Sequence, residues 1–330
     1  MAKVHITLAC GNYDRTWPLR DGSVVPEGID LNYLCLDAEE VFWRMLRYGE
    51  FDASEISLSS YIMAHSRGDE SLIAIPVFPS RIFRHSCIFI NSDAGINEPG
   101  DLRGKRIGVP EYQMTAAVWI RGILQDEYGV APRDCHWFTG GLEHPGRVEK
   151  LSLQLPDDTR IVPIPEDKTL SQMLETGEID ALFTARTPSC FAADSSRVRR
   201  LFPNYKDVEK DYYQRTGIFP IMHTIVLKRE LYELYPWVAQ SLFKAFNQAK
   251  EIACRGYFDS TAPHYSLPFL ISTAEEMHKV FGTDFWPYGV KDNEKTIEAL
   301  LRYSYEQGLS QRKLTIKELF APETFEEFKI

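Results

Sequence analysis

Two five-residue segments of the same pattern constrain this chain more than any other feature. Gly49-Glu50-Phe51-Asp52-Ala53 follows the helix-patterned stretch Ala38 to Tyr48, where Val41, Phe42, Met45 and Leu46 share one face, and it leads into a strand-like run through Leu58. Gly177-Glu178-Ile179-Asp180-Ala181 stands 128 residues later, after a helical Thr169 to Thr176 and ahead of the strand Leu182 to Ala185. A helix, a glycine stop and a strand entered through the same turn, once in each half, is what two similarly built α/β lobes would produce. A common helix-to-strand turn met twice by chance would give the same short echo.

Length favours the two-lobed reading, because 330 residues exceed the roughly 250 to 300 at which single cores stop growing. Gly95, Pro99 and Gly100 cluster ahead of a new strand, Lys105 to Val109, and suggest a boundary between 91 and 102. Further on, the strand Ile221 to Leu227 and the amphipathic helix from Trp237 to Ala253 read as a fresh sheet-and-helix unit. The expected division is 1–94 as the first part of lobe 1, 95–215 as lobe 2, and 216–330 as a return to lobe 1 with C-terminal helices. Two crossings imply a hinge, with a small-molecule cleft beneath it.

A net charge of −10 leaves no basic field for nucleic acid or an anionic membrane surface. The opening residues lack the apolar core and cleavage site of a secretory signal, and no apolar run reaches about 18 residues, so a cytoplasmic location is expected. Six scattered cysteines without a C-x-x-C pair fit reduced thiols. No G-x-G-x-x-G or phosphate loop occurs, and the eight histidines form no H-E-x-x-H or H-x-H. No cofactor is expected, although a divalent metal held by residues distant in sequence stays open.

Several residues carry a possible chemistry. A strand turning at Val109 through Pro110 to Met114 into a helix aims free N–H groups and a positive dipole end at the cleft, with Thr115 as cap and ligand donor, or as a plain cap under solvent. In Arg81-Ile82-Phe83-Arg84-His85, alternation sets Arg81 and His85 on one side and Arg84 on the other; a guanidinium fork suits a carboxylate, and a surface pair beside a strand is the plain alternative. Glu55 interrupts a buried-looking strand, which is costly unless the acid is paired or functional. Arg186 ends the matching strand of the other lobe, so the echo sets the two across the cleft, either for a ligand or as an interlobe ion pair. His223, in the apolar strand at the return crossing, is a satisfied core histidine or a proton-transfer group. The loop Trp137 to Arg147, with Gly140, Gly141, Pro145 and Gly146, brings Arg147 within possible reach of a ligand, or leaves it exposed.

Phe51-Asp52-Ala53-Ser54-Glu55, Arg84-His85-Ser86-Cys87-Ile88-Phe89, the run from Asp101 to Tyr128 with its Pro-Glu-Tyr-Gln-Met-Thr, Gly140-Gly141, Asp180 to Phe183 and Phe219 to His223 together resemble the 4,5-dihydroxyphthalate decarboxylase family, over nearly the whole chain. The resemblance implies an α/β, two-lobed type II periplasmic-binding-protein-like fold with an interlobe cleft, and a small aromatic dicarboxylate as the partner. It implies a carboxy-lyase that yields 3,4-dihydroxybenzoate and carbon dioxide. On that reading His223, His85 and Glu55 divide proton transfer, while Arg81 or Arg84, Tyr112, Thr115 and Arg186 bind substrate. The rival is a non-catalytic cytoplasmic binding or sensing protein with the same cleft. Assembly into a homo-oligomer stays open.

Overall fold

The computed structural model describes residues 3–192 and 196–325; Met1 and Ala2 of the opening segment lie outside them. Strands β1 (Val4–Cys10), β2 (Ile29–Cys35), β3 (Ala53–Ser57) and β4 (Leu72–Ile75) come first. They are followed by β5 (Ile88–Asn91), β6 (Arg106–Val109), β7 (His136–Thr139), β8 (Ile161–Pro163), β9 (Ala181–Phe183) and β10 (Val198–Arg200), and finally by β11 (His223–Lys228). They form two sheets, ordered β2-β1-β3-β11-β4 and β10-β5-β9-β6-β7-β8. The chain therefore enters the second sheet after β4 and returns with β11, giving two lobes joined by two crossings.

The first crossing falls earlier than the expected 94/95 boundary. β5 pairs antiparallel with β9 and β10, so residues 88–91 belong to the second lobe. The glycines and proline near 95–100 mark a turn inside that lobe rather than the passage between lobes. β11 runs antiparallel to both β3 and β4, closing the first sheet with a strand drawn from the far end of the sequence.

The repeated segment has one structure in both places. Helix α1 (Ala38–Tyr48) ends at Gly49 and a later helix (Leu170–Thr176) at Gly177, each glycine left-handed at φ 54 and 75, where a side chain is disfavoured. Phe51 and Ile179 then enter the core at 1% and 0% exposure. Asp52 accepts a hydrogen bond from the Thr7 backbone N–H, and Asp180 from that of Arg106, each at 2.8 Å. In each lobe the aspartate thus ties the incoming strand to its parallel neighbour, β3 to β1 and β9 to β6.

Helices α2 (Leu58–Ser66) and α3 (Thr115–Tyr128) pack where the lobes meet, and α4 (Glu294–Glu306) covers α3. Trp119 of α3 lies edge-on to Tyr303 of α4 and donates its indole N–H to the Ile221 carbonyl at 2.9 Å. One large apolar cluster runs through both lobes; a smaller one, around Phe89, Leu170, Leu174 and Leu182, serves the second sheet alone.

Candidate active site

Strand register brings Glu55 and His223 together. Ile225 pairs with Glu55 and His223 with Ser57, so His223 is the diagonal neighbour of Glu55 on one face of the sheet. The His223 Nδ1 lies 2.5 Å from Glu55 Oε1. That oxygen also accepts from the Tyr13 hydroxyl at 2.6 Å, and Oε2 accepts from the Gly11 backbone N–H at 2.9 Å. Glu55 is wholly buried. Burial on its own would raise its pKa, but the charge interaction and hydrogen bond with His223 and the donors on Tyr13 and Gly11 outweigh it, and the carboxyl is held below its ordinary value. An ionised carboxylate can only accept, so Nδ1 carries the hydrogen and Nε2 is left for other chemistry. The imidazole stands edge-on to Phe42 of α1 at 4.7 Å and stays 20% exposed.

Beside this pair, Arg84 is buried with Nε 3.2 Å from the Met222 sulfur and Nη1 3.5 Å from the Ala185 carbonyl oxygen. It links the strand end carrying His223 to the wall of a cleft cavity of about 490 Å³, which Thr184, Ala185 and Arg186 help to line. From the first lobe, Glu39 and Trp43 of α1 line the same cavity.

The loops after β6 and β7 supply the rest of the charge. Glu111, 2% exposed, accepts at Oε1 from Arg147 Nε and Nη2 at 2.8 and 2.6 Å and from Lys150 Nζ at 2.5 Å. Its Oε2 has no hydrogen-bond partner among the described residues. Glu149 next door receives the Tyr112 backbone N–H at 2.5 Å. Burial and then the nearby Glu111 push the Glu149 carboxyl up to about 7, against the pull of the Tyr112 and Gln113 amides.

The expected site residues separate into two groups. Arg186 lines the cleft cavity, Arg84 reaches its wall through the Ala185 carbonyl, and Glu55 and His223 form a pair on the first sheet that is not among the lining residues. Arg186 is 63% exposed, with Asp37 and Glu39 each 3.7 Å away, rather than facing Glu55 directly. Thr115 is the first residue of α3, whose cap is Met114; its hydroxyl bonds the Ser57 hydroxyl at 2.9 Å and receives the Ser59 N–H at 3.2 Å, so it joins the lobes instead of capping.

Arg81, His85 and Tyr112 lie in the interior. Arg81 gives Nη1 and Nη2 to the carbonyls of Pro287 and Phe219, and burial pulls its pKa down to about 9. His85 is packed edge-on against Phe202 and Tyr212, and neither ring nitrogen has a hydrogen-bond partner among the described residues. Tyr112 is fully buried with the Arg121 guanidinium 3.7 Å over its ring. Tyr13 and Lys150 were missed in the sequence, and Arg147, read there as a loop residue within possible reach, proves anchored. Their signal was weak, since each sits in a loop where only the fold assigns a partner. Among the described residues no group of three or more His, Cys, Asp or Glu is placed to hold a metal ion.

Residues 27–144 match the family described as ABC transporter, phosphonate, periplasmic substrate-binding protein. The 4,5-dihydroxyphthalate decarboxylase of Comamonas testosteroni is 43% identical over 330 residues, covering 100% of both chains. That of Pseudomonas putida is 45% identical over 214 residues, 65% of this chain and 83% of the relative. Among solved structures, the periplasmic aliphatic sulphonate binding protein SsuA of Escherichia coli matches with a TM-score of 0.54 at 12% identity, covering 98% of this chain and 99% of that one. The desulfurization enzyme DSZB matches with a TM-score of 0.50 at 16% identity, covering 97% of each chain. These two establish the periplasmic-binding-protein-like fold. Since one is a binding protein and the other an enzyme, the fold alone does not decide between binding and catalysis.

Proposed function

The chain belongs to the 4,5-dihydroxyphthalate decarboxylase family, and from that premise we propose how its cleft removes one carboxyl group from 4,5-dihydroxyphthalate. It is a carboxy-lyase of phthalate degradation, releasing 3,4-dihydroxybenzoate and carbon dioxide. Each carboxyl-bearing carbon of this substrate is para to a hydroxyl. When a base takes that hydroxyl's proton, to return it once the carboxyl has left, electron density is pushed to the para carbon, and a second proton delivered there makes it tetrahedral. The bond to the carboxylate then breaks, its electron pair returns to the ring, and carbon dioxide leaves. One dianion and one proton give one monoanion and carbon dioxide.

The observation that carries the reading is the Glu55–His223 contact at 2.5 Å. A carboxylate that holds Nδ1–H stabilises the imidazolium and orients Nε2, as a proton donor to a ring carbon requires. In this reading His223 delivers the proton, Glu55 positions it, and Arg84 and Arg186 attract the carboxylates. A firm grip belongs on the carboxylate that stays, because holding the leaving one would stabilise the ground state. A cytoplasmic location is part of the proposal, and six free cysteines fit a reducing compartment.

The test is to incubate chelator-treated protein with 4,5-dihydroxyphthalate and follow carbon dioxide and 3,4-dihydroxybenzoate. Product without added metal supports acid–base catalysis by side chains. Binding without turnover, even after metal is restored, would favour a sensor.

A further inference from the structure

Two guanidiniums on the second lobe converge on the Glu39 carboxylate of the first, and Asp37 stands equally near one of them, Arg186. Arg147 Nη1 lies 3.0 Å from Glu39 Oε2, and Arg186 Nη2 lies 3.7 Å from Glu39 Oε1, so each oxygen faces a different arginine. All three residues line the cleft cavity. Arg147 is aimed from behind, because its Nε and Nη2 are fixed on the buried Glu111 and only Nη1 is turned to Glu39. Glu39 stands in the first turn of α1, 40% exposed, with no anchor of comparable depth. A carboxylate brought in by a ligand would find the same forked donors and the same positive field.

We propose that Arg147 and Arg186 form the grip for one substrate carboxylate, and that Glu39 is a built-in competitor which occupies the grip in the empty cleft and must swing out when a dianion enters. The identity of the substrate rests on the function proposed above; the competition itself does not. Arg147 has a buried backing and Glu39 has none, so the movable member of the contact is the glutamate. Competition weakens substrate and product alike at this grip, which helps a product that still bears a carboxylate to leave. The contact also joins α1 to the loop after β7, so displacing Glu39 releases one link across the cleft.

Phthalate is the probe, since it carries both carboxylates but no hydroxyl to drive decarboxylation. Calorimetry at low salt should show Glu39→Gln binding phthalate about fivefold more tightly than the unaltered protein, the equivalent of one partly exposed ion pair. Arg186→Gln, a change at an exposed side chain, should weaken binding by about tenfold or more. In the double variant the gain from Glu39→Gln should shrink. Unchanged or weaker phthalate binding by Glu39→Gln would overturn the proposal, because a positioning role for Glu39 predicts that result. Turnover of 4,5-dihydroxyphthalate is scored separately: tighter phthalate binding without carbon dioxide release would sink the decarboxylase reading and leave the competition standing.

Discussion

Glu55 and His223 meet at 2.5 Å although 168 residues separate them, because the last strand of the first sheet runs antiparallel beside β3 and sets them diagonally on one face. The carboxylate is buried and the imidazole 20% exposed, so charge is held inside while the ring stays open to proton exchange. Replacing His223 with Asn should lower kcat by about 10² to 10⁴ and leave the phthalate dissociation constant within about threefold, since the ring is not required to grip a carboxylate. Carbon dioxide release and calorimetry on the same preparation check this. Unaltered turnover would remove His223 from the reaction.

His85 should behave in the opposite way. Burial, and then the positive Arg215, push its pKa down to about 4 from an ordinary 6.5. The native state therefore keeps it neutral while the unfolded chain takes up a proton, and stability is lost as pH falls from about 6.5 towards 4. Phe would keep a ring between Phe202 and Tyr212 without burying nitrogens that no hydrogen bond satisfies, giving up only the 4.0 Å approach of Nδ1 to Glu209. Exchanging His85 for Phe should raise stability by about 2 kcal/mol at pH 5 and by little at pH 7.5. Urea titrations at the two pH values measure the difference, and turnover should stay within about twofold.

His85 also shows where the sequence stops being readable. The alternation applied to Arg81 through His85 assumes an extended strand, but His85–Cys87 is a 3-10 turn and β5 starts only at Ile88, so neighbouring side chains there do not alternate across a sheet. Gly49 and Gly177 were legible because a left-handed helix stop is a local demand. Glu55 and His223 were each conspicuous as polar residues in apolar runs, yet their contact depends on a register between distant strands. Likewise β5 looked as if it belonged to the first lobe because nothing local reveals its pairing with β9 and β10. Tyr13 and Lys150 act from loops, where periodicity carries no information.

The two lobe-echo aspartates make a matched pair for mutation. Asp52 and Asp180 each accept a backbone N–H at 2.8 Å from the neighbouring parallel strand. Changing either to Ala removes a charged acceptor and should cost about 1.5 to 3 kcal/mol, with Asp180→Ala losing also the ion pair to Arg106 at 2.6 Å. Denaturant midpoints should fall in both variants, and at least as far in Asp180→Ala, which also loses the exposed pair with Arg106. A loss confined to one of them would mean that the echo in sequence is not an echo in energetics.

Glu149 offers a test with the reverse pH sign from His85. Its carboxyl is raised from 4.5 to about 7 by burial first and by Glu111 second. Between those values the unfolded chain ionises while the native protein holds the proton, so stability is complete below about 4.5 and declines as pH rises to about 7. Glutamine keeps the shape and an acceptor for the Tyr112 amide but has nothing to ionise. Glu149→Gln should therefore gain about 2 kcal/mol over the unaltered protein in moving from pH 5 to pH 8, read as the difference between paired urea titrations. A difference that does not change with pH would mean that Glu149 is ionised throughout, with its charge met by Arg121 and the two backbone amides rather than suppressed by burial and Glu111.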